Sequence, residues 1–269
     1  MTLILGIDAA WTATEPSGVA LVSNAGGPWR CLAVAPSYNS FAALAAGNAV
    51  DWTVRPLASA PDPKQLLMAA QTLAGAKVDL VTVDMPIATV PFDKRRKADD
   101  VVSAEFGARH CGTHSPTKER PGAQGAAFTA AFAALGYAVA TTATAVQSYP
   151  RLLEVYPHPA LLTLMNADKR VPYKQSKSKT YWDKADKTQR IANLLQEYQQ
   201  IKAKLHEAMG PFELPLPALH PSAELKLATL KRYEDALDAL ICCWVGTLYA
   251  EGKARPLGDD TAAIWCPLG

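Results

Sequence analysis

Twice in this chain a short apolar run ends in an aspartate. Leu3-Ile4-Leu5-Gly6-Ile7 leads into Asp8, and Leu80-Val81-Thr82-Val83 leads into Asp84, with Pro86 stopping the second run abruptly. Runs this short and this apolar fit strands buried on both faces, as in a sheet covered by helices. A carboxylate at the end of such a strand is costly to ionise unless a cation or several donors meet it. A turn or helix-capping aspartate explains one such residue. The repetition is what points to a site.

The composition sets the frame for that site. With 269 residues, the chain is long enough to bury a large core, so one domain spanning 1–269 is expected, with inserted loops around 92–124 and 169–222. Apolar residues make up 49% and charged residues 19%, which excludes a disordered chain. No apolar run reaches the roughly 18 residues of a membrane span, so no membrane partner is expected. The first residues lack the basic head and long apolar stretch of an export signal, which makes the cytoplasm the expected location. Cys31, Cys111, Cys242, Cys243 and Cys266 are odd in number and scattered, the pattern of reduced, mostly buried thiols. A formal charge of +2 is too small to argue for nucleic acid by itself.

The remaining pattern reads as an α/β chain. After the first strand, Gly18–Asn24 and Trp29–Tyr38 supply two more strand candidates, which could complete an antiparallel meander. Lys64–Gly75 has helical spacing with a glycine stop, and the Asp84 strand follows, giving the order β-β-β-α-β. From Phe92 to Gln124 no period is sustained, which suggests a long loop or broken helices. Gly125–Gly136 is a helix with a glycine stop, and Leu152–Leu162 reads as a strand broken at Pro157 and followed by a short helix. A long amphipathic helix is expected over Lys187–Met209, a Pro-rich connection over 211–221, a last helix near Tyr233–Glu251, and a small strand at Ile264 and Trp265.

Three more carboxylates join the two strand-end aspartates as candidates. Glu154 lies inside the apolar Leu152–Tyr156 run, where a glutamate either faces solvent at an edge or serves a site. Asp235 and Asp238 are three apart in the last helix and share one face, so both could converge on one cation, although the first could equally serve the helix dipole. Asp238 is favoured because it is embedded in an apolar run. Carboxylates without neighbouring thiol or imidazole ligands suit hard cations, Mg²⁺ or Mn²⁺. His110, Cys111 and His114 match no standard closed zinc spacing.

The Gly6–Trp11 start with Gly18–Leu21 after it, the Val81–Pro86 strand, the Glu154–Pro159 element and the Asp235–Leu240 helix occur in an order that resembles the predicted RNase H-like nucleases grouped as domain of unknown function 429. The resemblance runs from Met1 to about Trp265. It implies a mixed five-stranded sheet, three strands antiparallel and two parallel, flanked by helices with helical insertions. It also implies that Asp8, Asp84 and Asp238 or Asp235 meet at one metal site, with Glu154 part of the catalytic pattern. A segment of this family follows the second carboxylate strand, here with Arg95 and Arg96, which could grip a phosphate or simply open a charged helix.

The expected function is therefore metal-dependent phosphodiester hydrolysis of DNA or RNA. Lys169–Lys187 interleaves lysines, among them Lys174, Lys177 and Lys179, with Tyr173, Tyr181 and Trp182, a mixture that can follow a phosphate backbone and stack on bases. A charged loop with its aromatics in the core has the same composition. Two other functions fit parts of the pattern. A relative that binds nucleic acid or protein without catalysis would have carboxylates that fail to converge or are tied up by Arg95, Arg96 or lysines. An actin-like kinase or ATPase shares the β-β-β-α-β order, but Ala9, Ala10 and Trp11 stand where that class places glycine and a hydroxyl.

Overall fold

The structure, a computed structural model, describes residues 1–12, 14–220 and 224–268. Three strands open the chain, β1 (Leu3–Asp8), β2 (Gly18–Ser23) and β3 (Arg30–Ala35), followed by helices α1 (Tyr38–Ala45) and α2 (Pro63–Ala74). Asp62 caps α2 through the backbone N–H of Gln65, Pro63 occupies its first turn, and Gly75 ends it in the left-handed conformation. Next come β4 (Leu80–Val83), α3 (Lys97–Phe106), α4 (Ala123–Ala134), β5 (Ala138–Val139), β6 (Arg151–Val155) and α5 (Pro157–Leu164). The short α6 (Ser178–Tyr181) and the long α7 (Lys187–Met209) precede α8 (Lys231–Ala250), and the chain closes on the hairpin β7 (Ala254–Gly258) and β8 (Ala263–Pro267). No helix among the described residues is long and apolar enough to cross a membrane.

All the strands belong to one mixed sheet in the order β3-β2-β1-β4-β6-β8-β7, with β5 paired to β6 off that path. The expectation of five strands is corrected to eight among the described residues. The antiparallel trio β3-β2-β1 and the two parallel strands β4 and β6 are present in the expected order. Beyond them, β8 continues parallel to β6 and β7 turns back antiparallel as the edge. The sequence reading missed β7 because Pro256 and Gly258 interrupt it, and an edge is where a sheet tolerates a proline. It missed β5 because two residues carry no period. Within 92–124 the broken-helix alternative holds, since α3 occupies ten of those positions.

Strand alternation assigns the faces. Ile4, Ala20, Val22, Leu80, Leu153 and Val155 pack with α5, α7 and α8, whereas Leu3, Leu5, Ile7, Val19, Val81, Val83 and Leu152 pack with α1, α2 and α4. By the same period Asp8 and Asp84 fall on the α8 face and Glu154 on the opposite one. All five cysteines are free thiols, and only Cys31 is not fully buried.

Helix α8 is buried on nearly every side, lying between the sheet and α7. It comes so close to β1 and β2 that side chains are excluded at two strand positions. A Cβ on Gly6 would lie 2.3 Å from the Ala239 carbonyl oxygen, and one on Gly18 would lie 2.1 Å from that of Asp235. Because both clashes are with backbone, no rotamer change relieves them. Gly18→Ala is therefore expected to lower the unfolding free energy by about 1–3 kcal/mol in urea titrations. Gly107→Ala, where a Cβ meets nothing within 4 Å, should leave stability nearly unchanged.

Candidate active site

The strand ends and the first turns of α8 meet at one cavity. Asp8 ends β1 and Asp84 follows β4; the strands are parallel with Ile7 opposite Val83, and the Asp84 N–H donates to the Ile7 carbonyl at 2.9 Å. The two carboxylates are thus neighbours on adjacent strands and on the same face. Both line a cavity of about 600 Å³, which Lys231, Glu234 and Asp235 of α8 also line. Neither Asp8 nor Asp84 forms an ion pair with the described residues.

Two lysines cover the carboxylates of α8. Lys231 pairs with Asp235 one helical turn on and with Glu234 at 3.3 Å. Lys174, from the segment before α6, pairs with Asp238 and reaches Glu234 at 3.5 Å. Tyr173 donates to the other Asp238 oxygen at 2.6 Å, and the Gln175 N–H donates to Glu234 at 2.6 Å. Asp238, fully buried, thereby has both oxygens engaged and does not line the cavity. Asp235 is different, because its Oδ2 is buried and has no hydrogen-bond partner among the described residues.

The electrostatics follow from this crowding. Burial pushes the Asp84 carboxyl well above the usual carboxylate range, and the negative charges of Asp8, Asp238 and Glu154 add to the effect. Asp235 is also raised well above that range by burial, with Lys231 opposing and Asp8 and Glu234 adding. Asp238 is raised to about 6 by burial despite Lys174 beside it. Burial works against the charge on Lys174, but Asp238, Tyr173 and Glu234 more than offset this and hold the ammonium protonated. Glu234 goes the other way, since Lys174 and Lys231 outweigh its burial and lower it.

Glu154 and Arg96 are engaged elsewhere. Arg96 Nη1 and Nη2 donate to the two Glu154 oxygens at 2.5 and 2.7 Å; its Nη2 and Nε also donate to Asp99, and its Nη1 to the Ile87 carbonyl. This buried group holds α3 against β6 on the far face of the sheet. Arg95 binds Asp100, the Asp99 and Thr113 carbonyls and the hydroxyls of Ser103 and Ser115, so it ties the loop before α4 to α3. Lys177 lines the cavity, whereas Lys179 is exposed on α6 and does not. His114 also lines the cavity, but no three His, Cys, Asp or Glu side chains among the described residues form a ready ligand group, and that holds for Asp8, Asp84 and Asp235 as for His110, Cys111 and His114.

Sequence reasoning passed over Lys231, Glu234, Arg120 and His158, all of which line this cavity. A search for lysine followed at three and four residues by acids would have found the first two. His158 lay inside the Glu154–Pro159 element without an assigned role. If Arg96 serves the fold, Arg96→Met leaves Glu154 and Asp99 buried without their cation. The expected loss is about 3–5 kcal/mol of unfolding free energy, measured in urea. A variant as stable as the parent would release Arg96 for another role.

No curated relative and no solved structure matches the chain. The model of one family does match, described as "Protein of unknown function (DUF429)", and it extends over residues 6–263. That span takes in both strand-end aspartates, the Arg96–Glu154 pair and the whole of α8, and the chain accordingly belongs to the DUF429 family.

Proposed function

We propose that this chain is an RNase H-like, metal-dependent nuclease that hydrolyses phosphodiester bonds of DNA or RNA at the Asp8–Asp84–Asp235 cavity. The observation that carries the reading is the buried Oδ2 of Asp235, unpartnered among the described residues, in the same cavity as two strand-end carboxylates that no described cationic side chain pairs. An all-oxygen donor set of this kind suits Mg²⁺ or Mn²⁺, which accept one or two carboxylates and fill their remaining positions with water. Asp8, Asp84 and Asp235 would hold the ion. Asp238, with both oxygens taken by Tyr173 and Lys174, supports α8 and Lys174 instead of binding metal. The strand order β3-β2-β1-β4-β6 supports the RNase H-like part of the reading.

When bound, the cation would supply a polarised water and charge neutralisation at the phosphoryl oxygens. The chain's own residues do the rest. Asp8 and Asp84 are held on adjacent parallel strands, and with Asp235 they would close on the ion by side-chain movement. Lys231 is partly exposed, and its side chain can leave Asp235 for solvent when a stronger cation arrives. Lys177 and Arg120 line the same cavity and can meet the substrate backbone, and Lys179 extends the cationic surface outside it.

A second reading, nucleic-acid binding without cleavage, draws on the ion pairs of Lys174 and Lys231, which already neutralise the α8 carboxylates. Metal binding separates the two. Asp84 and Asp235 keep their protons to higher pH than ordinary carboxylates, so an incoming cation must expel protons. Mn²⁺ affinity is expected to fall with falling pH by about tenfold per unit for each proton displaced. Calorimetry in two buffers of different ionisation enthalpy reads that release directly. Asp8→Asn should abolish both Mn²⁺ uptake and cleavage of labelled oligonucleotides while leaving the melting temperature near that of the parent. If the parent takes up no Mn²⁺ and does not cleave, the non-catalytic reading stands instead; if the variant cleaves at the parent rate, the role assigned to Asp8 is wrong.

A further inference from the structure

The cavity that the carboxylates line also carries cationic side chains that they do not pair. Among the cationic side chains that line it, Lys174 and Lys231 are paired with the carboxylates of α8, but Arg120, Arg170 and Lys177 form no ion pair with the described residues. Arg170 lies beside His158, with Nη2 and the His158 Nε2 2.5 Å apart. A guanidinium can only donate, so Nε2 is the acceptor and carries no proton. The imidazole is then neutral with its single N–H on Nδ1. His158 is 4% exposed, and that Nδ1 is buried with no partner among the described residues. The Nε of Arg170 is likewise buried and unpartnered. Desolvated donors without acceptors are costly, and an anion admitted beside His158 and Arg170, both of which line the cavity, offers the acceptors they lack; the Tyr181 hydroxyl, itself buried and next to Arg170, is the alternative acceptor for Nε.

The ring of His158 is fixed in place. Tyr156 meets it at 5.3 Å with an interplanar angle of 90°, and Tyr173 at 5.5 Å with 63°. Burial and the positive charges of Lys174, Arg170 and His114 keep His158 well below the usual histidine range, so it stays a neutral donor at physiological pH. Charge counting points the same way. Arg120, Arg170, Lys174, Lys177 and Lys231 are balanced in the lining by Asp8, Glu15, Asp84, Glu234 and Asp235, so a divalent cation on the carboxylates would leave a positive excess for an anion to meet.

We propose that Arg170, Lys177 and the Nδ1–H of His158 form a phosphate subsite in the cavity that the carboxylates also line. Taking the anion to be the substrate's own phosphate rests on the nuclease reading; the binding of phosphate itself does not. Arg170 offers fixed, planar donors suited to a tetrahedral oxyanion, and the buried Nδ1–H adds direction. Lys177, on the exposed rim, adds charge at the mouth.

Inorganic phosphate titrated into the metal-free protein in EDTA tests the subsite without any cation. With ¹⁵N-histidine labelling, the Nδ1–H signal of His158 is expected to shift progressively as phosphate is added. Arg170→Gln should weaken phosphate binding by about tenfold or more, since a charge-assisted hydrogen bond is lost, and Lys177→Gln should weaken it to a smaller extent. Both variants should keep Mn²⁺ binding, whereas Asp8→Asn should lose Mn²⁺ and keep phosphate. Failure of the metal reading thus leaves the phosphate titration intact. Should Arg170→Gln fail to fold, judged by circular dichroism, the surface variant Lys177→Gln decides. No phosphate binding by the parent, or unchanged affinity in the folded variants, overturns the subsite.

Discussion

Backbone contact between α8 and the first two strands governs this molecule. The helix rests on Gly6 and Gly18 so closely that the carbonyls of Ala239 and Asp235 occupy the volume a side chain would need. That seat sets how far the helix carboxylates stand from Asp8, which ends the same strand that holds Gly6. It also buries a helix whose apolar residues continue around nearly its whole circumference, covered by the sheet below and α7 above. Packing and site geometry are one constraint here, because moving the helix outward to admit a methyl group would open the core and separate the carboxylates together.

Such proximity has an electrostatic cost that the fold meets unevenly. Glu234 is the carboxylate best provided for, with two lysines and a backbone N–H. Asp238 is tied between a phenol and an ammonium. Asp235 has one lysine on one oxygen and nothing on the other, and Asp8 and Asp84 repel each other across a parallel strand pair. The shortage of positive charge is confined to the cavity side of the cluster. Glu154, on the opposite face, is fully satisfied by Arg96 and by the Ile87 N–H at 3.0 Å. Compensation is therefore complete for Glu154, Glu234 and Asp238 and incomplete for Asp8, Asp84 and Asp235, all three of which line the open space.

Local signals carried much of this architecture. Apolar runs that end in Asp gave β1 and β4, glycine stops gave α2 and α4, and the long period gave α7 at its observed bounds. The same face for Asp8 and Asp84 follows from strand alternation once the parallel register is known, but no single strand announces its register. The parts that stayed hidden depend on pairings between distant segments. Arg96 and Glu154 are 58 residues apart, and Lys174 and Asp238 are 64 apart, so neither partner identifies the other by spacing. The mixed composition of Lys169–Lys187 concealed a division of labour. Val171 and Tyr173 enter the core and Lys174 is anchored to α8, while Lys177 and Lys179 remain outside.

The position of α8 in the chain has a consequence for synthesis. The β1-β2 hairpin is complete by Ser23, but the helix that covers one of its faces begins at Lys231. At about 5–20 residues per second, a ribosome takes on the order of 10–40 s to make the intervening chain. Throughout that interval Ile4, Ala20 and Val22 have no native cover on the α8 side. The nascent chain therefore emerges with that sheet face uncovered until about its last seventh is made.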